Sequence, residues 1–296
     1  MNLFDRLVEQ AMQSEQALGI VRPVLEKELL HHDILREMNQ SGLLEGLTFI
    51  GGTCLRACYG SPRLSEDLDF TGGNDFKTNR LTELGAVLEN TLMEKYGLHV
   101  QVSVPIKEEG NTSTWKLRMQ TRPASKHLPA QRIHIDICAL PSHRPRPSLL
   151  RNAYGVNMGT EGLIVQIQSR EEILADKWVA LALRPNRIMY RDLWDILWLN
   201  RRDVQLESEL VFQKLDDRKK SADEFSTPLL ARVAELGNDP QHQKMFQQEM
   251  ARFLFSADQR ELLGDPGFWN LLVLQLKEQA NQLCTKTEAS LGKSKI

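Results

Sequence analysis

Apolar side chains recur at helical spacing through residues 3–40, at Leu3, Leu7 and Ala11 and again at Val24, Leu25, Leu29, Ile34 and Leu35, which predicts two amphipathic helices. Asn39-Gln40-Ser41-Gly42 supplies their stop. An apolar run over 47–50 then meets Gly51-Gly52-Thr53 and passes into Cys54-Leu55-Arg56-Ala57-Cys58-Tyr59, the pattern of strand, tight turn and helix. Residues 64–70 alternate as a strand does, and 77–96 return to helical periodicity. Three more strands are predicted over 98–104, 113–120 and 132–139, the last bracketed by Pro129 and Pro141. The stretch 141–147, with Arg144 and Arg146 between prolines, reads as an extended surface loop.

From Ser169 onward the pattern is helical. Ser169-Arg170-Glu171-Glu172 has the spacing of a capping box and opens a helix through Leu183, which Pro185 ends. A second helix carries Arg191 to Trp198, further helices are expected over 207–283, and 285–296 reads as a frayed tail. The change of pattern predicts an α/β part over 1–168, a mixed sheet with flanking helices, followed by an all-helical C-terminal region over 169–296.

Charge narrows the function classes. Lys+Arg number 37 against 39 Asp+Glu, a formal charge of -2, so the chain is no polycation wrapped on nucleic acid, and any such contact must come from a local basic patch. Mean hydropathy is -0.37, and no uncharged apolar run reaches the roughly 18 residues of a membrane span. An acid at Asp5, where a signal peptide would begin its apolar core, adds the expectation of a cytoplasmic protein. The four cysteines form no CxxC pair, the histidines supply no zinc-site spacing, and all four read as reduced thiols.

The chemistry concentrates in three short segments. Asp67 and Asp69 stand two apart on a predicted strand and so share one face, with Leu68 and Phe70 on the other. Asp136 stands the same way between Ile135 and Ile137. Three carboxylates converging on one sheet would repel and raise one another's pKa, and divalent cations are the usual remedy. Oxygen ligands on rigid strands suit Mg²⁺, which shares its shell with substrate phosphates. Two such ions would stabilise the attacking and leaving oxygens of a phosphoryl displacement, with a nucleoside triphosphate as substrate. Gly51-Gly52-Thr53 supplies backbone amides for the phosphates. Arg56 and Arg63 flank the site, to hold phosphate or the acceptor's backbone, or to neutralise nearby acids.

Taken in order, the strand-Gly51-Gly52-Thr53-helix segment, Ser65-Glu66-Asp67-Leu68-Asp69-Phe70 and Ile133-His134-Ile135-Asp136-Ile137 resemble the three marks of the polymerase-β-like nucleotidyltransferase fold. More narrowly, Gly51-Gly52-Thr53 with Leu55, then Arg63 to Phe70, is similar to the AbiEii/AbiGii toxin family, whose later lysine-bearing and arginine-aspartate helices are matched by Lys177 and Arg191-Asp192. The resemblance implies the toxin half of a type IV toxin-antitoxin system, partnered by an AbiEi-like antitoxin. Related MenT toxins transfer nucleotides to the 3′ end of tRNA. Residue by residue it implies phosphate binding by Gly52 and Thr53, metal binding by Asp67 and Asp69, a third carboxylate at Asp136, a triphosphate-holding Lys177 and a late catalytic Asp192. Many members of the wider fold have Gly-Ser where this chain has Gly52-Thr53; a hydroxyl survives.

Plainer readings stand beside each assignment. Alternating acids occur on any exposed strand; Lys177 is also placed to pair with Glu172 or Asp176; Arg191 and Asp195 are spaced as a helix ion pair; and Trp178, Trp194 and Trp198 read as a buried seam. The histidines, His134 among them, read as packing or surface residues. The expected activity is Mg²⁺-dependent transfer of a nucleotide from an NTP to an acceptor hydroxyl, tRNA or another RNA first. The alternatives are a small-molecule or protein hydroxyl as acceptor, and a protein that binds nucleotide without reacting.

Overall fold

The structure is a computed structural model that describes residues 2–105, 111–122 and 129–293, with side chains described through Thr285. The chain forms two compact units, Met1–Gln168 and Ser169–Ile296. The first is a mixed α/β layer and the second is helical throughout.

Unit one opens with α1 (Leu3–Ser14), capped by the Asn2 side chain on the Asp5 amide, and α2 (Arg22–Gln40), which begins with Pro23 in its first turn. Both helices of the sequence pattern are present, and Gly42 at φ 70° turns the chain away after the second. The sheet follows: β1 (Thr48–Ile50), β2 (Leu68–Thr71), β3 (Val100–Ser103), β4 (Thr112–Met119), β5 (Gln131–Cys138), β6 (Pro145–Leu149) and β7 (Ile164–Gln168). Their order is β3-β4-β5-β2-β1-β7-β6, with β2 parallel to β5 and β1 parallel to β7.

The two faces of this sheet differ as the alternation requires. Leu68, Phe70, Ile133, Ile135, Ile137, Trp115 and Leu117 are at most 2% exposed. They pack beneath α2, α4 (Leu84–Tyr96) and the intervening chain. Each buried isoleucine removes enough apolar surface to stabilise the fold by about 2 kcal/mol. The opposite face carries Asp69, Asp136, Thr114, Lys116, Arg118, Arg132 and His134, all intermediate or exposed.

Three expectations are corrected. The strand expected over 64–70 begins only at Leu68, so Asp67 lies just before it. The buried contacts of Arg63 and Ser65 with α2 and the Gly52 turn hold that lead-in off the ladder. The loop expected over 141–147 contains an edge strand, β6, paired antiparallel with β7, itself not anticipated. The Leu150 amide donates to the Leu163 carbonyl, so even-numbered positions direct their backbone groups at β7 and Pro145 and Pro147, lacking N–H groups, face the open side. Finally, the tail expected from 285 continues helix α11 (Pro266–Lys293), because Ala, Leu, Glu and Lys dominate there and no breaker precedes Gly292; residues 294–296 of that expectation lie outside the described residues.

Unit two holds α5 (Arg170–Leu183), α6 (Tyr190–Asn200), α7 (Ser208–Asp217), α8 (Ala222–Asn238), α9 (Gln241–Met250), α10 (Ala257–Gly264) and α11. Ser169 caps α5 by accepting from the Glu172 amide. Trp178, Trp194 and Trp198 are buried, the seam their spacing predicts.

Candidate active site

β1 runs straight into α3 (Gly51–Ala57) through a turn in which Gly51 has φ +74°. A Cβ at Gly51 would stand 2.8 Å from Asp69 Oδ2, and one at Gly52 would collide with the Arg63 guanidinium. Two glycines are therefore needed for two separate close approaches, and both bring predicted site residues to the turn. Thr53 is 2% exposed. Its hydroxyl donates to the Asp67 carbonyl, with Ser65 Oγ 2.7 Å away, so it ties the turn to the acidic segment from beneath.

The register of β2 and β5 sets Asp69 beside Asp136, with Thr114 of β4 next in line. In-register neighbours share a face. Asp67 accepts from the His134 amide at 3.0 Å, and His134 Nδ1 lies 3.5 Å from the same oxygen. Burial raises the Asp136 pKa, the Thr114 hydroxyl opposes that, and the nearby Asp67 charge adds to it. Asp136 Oδ1 is buried without a hydrogen-bond partner.

That orphaned oxygen bears on the expected metal. Among the described residues no three carboxylate, imidazole or thiolate groups stand ready to enclose one ion. Mg²⁺ does not ask for such a cage; one or two carboxylates, waters and substrate phosphates satisfy it. An acidic pair with a buried, unpartnered oxygen fits a hard divalent cation, and Asp67, Asp69 and Asp136 are the residues that would hold it.

The two flanking arginines go different ways. Arg63 is 2% exposed and lies against Gly52, its Nη1 donating to the Leu64 carbonyl. Arg56 is committed elsewhere: it pairs with Glu28 at 3.1 Å, donates to the Ser61 carbonyl and sits 5.6 Å over the Tyr154 ring, whose hydroxyl it also meets. Glu28 accepts in turn from the Ser65 amide at 2.7 Å. Burial raises the Glu28 pKa and Arg56 offsets it. These contacts make Arg56 a brace behind the acidic segment.

The model of a family described as nucleotidyl transferase AbiEii toxin, type IV toxin-antitoxin system, matches residues 33–273. The chain belongs to the AbiEii family. The fold agrees with that of MenT4, a nucleotidyltransferase toxin from Mycobacterium tuberculosis, at TM-score 0.58 and 16% identity over 93% of this chain and 92% of that one. JHP933 from Helicobacter pylori aligns at TM-score 0.47 and 17% identity, over 95% and 97% of the two chains. Among curated proteins none matches.

This AbiEii chain is thus a nucleotidyltransferase toxin of the type IV class. Its second unit carries the remaining predicted residues. Lys177 on α5 reaches Asp192 at 2.6 Å and Asp195 at 2.8 Å, both on α6, and Arg184 closes on the other Asp192 oxygen. Burial pushes the Asp192 pKa up, but the Lys177 and Arg184 charges outweigh it and hold the carboxyl well below the usual range. Glu172 and Asp176, the plainer partners for Lys177, both engage Lys214. Arg191 pairs with Glu249 and stacks 5.0 Å from Phe253.

His134, which the sequence offers as a packing or surface residue, and Thr114, which it does not single out, stand beside the acids. Both lie on the carboxylate face, and His134 stands two positions before Asp136, a spacing that marks a shared face.

Proposed function

We propose that this chain transfers a nucleotide from an NTP to the hydroxyl of an RNA acceptor, a tRNA 3′ end first, with Mg²⁺ bound by Asp67, Asp69 and Asp136. The observation that carries the reading is the pairing of Asp69 with Asp136 beside the Gly51 turn, with one Asp136 oxygen buried and unpartnered. Bound there, the metal would neutralise charge on the phosphates and on the oxygens that change partners.

The chain's own residues do the rest. Amides of the Gly51-Gly52 turn and the Arg63 guanidinium hold phosphate oxygens, and Thr53 and His134 fix the acidic segment that meets them. The acceptor oxygen forms its bond to the α-phosphorus as the bond to pyrophosphate breaks. Asp136, in register beside Asp69, takes the hydroxyl proton. Lys177, supported by Asp192 and Asp195, is assigned to the triphosphate on the strength of the family resemblance. Positioning and charge neutralisation supply most of the acceleration, since phosphoryl transfer asks little covalent chemistry of a protein.

Incubation with each α-labelled NTP, Mg²⁺ and total tRNA tests the proposal. Label on RNA that depends on Asp67 supports it. Label on protein or on a small molecule and never on RNA replaces the acceptor; tight NTP binding with no transfer removes the catalytic reading.

A further inference from the structure

We propose that the open face of the sheet carries a phosphate rail, formed by Lys116, Arg118 and Arg132, that holds the strand of a nucleic-acid acceptor as it approaches the carboxylates. The inference deepens the transfer reading above and rests on it. Its basis is the register of the ladder. Asp69, Asp136 and Thr114 form one cross-strand row; His134, Lys116 and Ser103 form the next; Arg132, Arg118 and Gln101 form the third. Rows on one face are two residues apart, about 6.6 Å, so the third lies about 13 Å from the acids. Charge changes sign along this run, from the two aspartates, through a histidine and a lysine, to two arginines.

The third row is costly by itself. Arg118 and Arg132 are directly opposed across antiparallel strands, an arrangement that destabilises a sheet. Both are exposed, as is Lys116. Among the described residues, no ion pair engages any of the three. Such repulsion, built into a chain of formal charge -2 and beside its acidic site, is relieved by a polyanion lying along the face. One NTP held at the Gly51 turn has no need of cations so far along the strand.

The neighbours define how the polyanion is held. Gln101, Ser103 and Thr114 add side-chain hydrogen-bonding groups beside the cations. No phenyl or indole ring lies on this face of β3, β4 or β5; Trp115 points into the core. The rail therefore grips phosphates and stacks no bases, which sets the path of the strand without reading its sequence.

The test is anisotropy of a short, labelled, single-stranded RNA of mixed sequence, titrated with the full-length protein across a salt series and without NTP. Each of Lys116→Ser, Arg118→Ser and Arg132→Ser should reduce the slope of log K against log salt by about 0.7, and Arg118→Ser with Arg132→Ser should weaken binding about tenfold at low salt. Arg118→Lys with Arg132→Lys should keep the slope, and Arg146→Ser on edge strand β6 should leave it unchanged. Unaltered binding in the double serine variant with its melting temperature intact overturns the rail, as does a slope that responds to Arg146 equally. Because no turnover is needed, RNA held by the rail without any nucleotide transfer would sink the transfer reading alone, whereas transfer to RNA that ignores these residues would sink the rail alone.

Discussion

Gly52 has no room for a side chain, because the Arg63 guanidinium fills the space a Cβ would take. Gly52→Ala should displace that guanidinium and lower turnover by roughly 10²-fold, since small misplacements at a reacting centre cost about that much; steady-state kinetics beside a melting curve would check it. Asp136 makes a sharper case. Its folded pKa is raised, so it favours the folded state fully below the unfolded carboxylate value and loses that contribution as pH rises through the folded value. Above the folded value the ionised, buried carboxylate is a burden, so in that range Asp136→Asn should raise the melting temperature while abolishing transfer. A variant both less stable and fully active would contradict the assignment. The meeting of Asp69 with Asp136 beside the Gly51 turn was legible, because the alternation around each acid and the paired glycines show within a few residues of sequence. Thr53 and Arg56 were not: one hydroxyl and one guanidinium look free to meet phosphate until their partners, Asp67 and Glu28, are brought up from elsewhere in the chain.

Helix α2 and strand β5 do much of the positioning at the next scale. His31 and His32 are buried on α2, and burial pulls their pKa values down to about 3 and about 4. Both rings stay neutral in the folded state while the unfolded chain protonates them below about 6.5. Stability should therefore fall as pH drops from about 6.5 toward about 4, by up to about 1.4 kcal/mol per pH unit for each ring. Denaturant melts across that window should show a shallower slope in His31→Gln. On β5, Ile135→Ala should cost about 3 kcal/mol by opening a cavity beneath the acidic face. Alternation around Asp136 made β5 readable, whereas β6 was hidden by prolines that ordinarily exclude a strand. Only their outward parity on an edge reconciles Pro145 and Pro147 with a ladder, and parity depends on pairing with β7. Asp67 was placed on a strand for the opposite reason: alternation persists through a lead-in that contacts with Glu28 and Gly52 hold off the ladder.

Across the whole molecule, the mixed sheet and the helical second unit follow from the change of periodicity at Ser169, where the Ser169 cap sits. The family match spans both units. Lys177→Met alone takes one cation away from the buried carboxylates Asp192 and Asp195, which should cost unit two about 3 kcal/mol. Pairing it with Asp195→Asn removes much of that burden; a double variant that folds normally and still fails to transfer would show that Lys177 serves the reaction as well as the fold. Expressed without its antitoxin, the wild-type toxin should arrest growth and Asp67→Ala should not. The central claim, that the acids beside the Gly51 turn are the catalytic centre, is met most directly by the rate of Mg²⁺-dependent pyrophosphate release from NTP in the presence of acceptor RNA, compared between wild type and Asp69→Asn of equal melting temperature. The account predicts a loss of at least about 10³-fold; a variant within about threefold of wild type would contradict it.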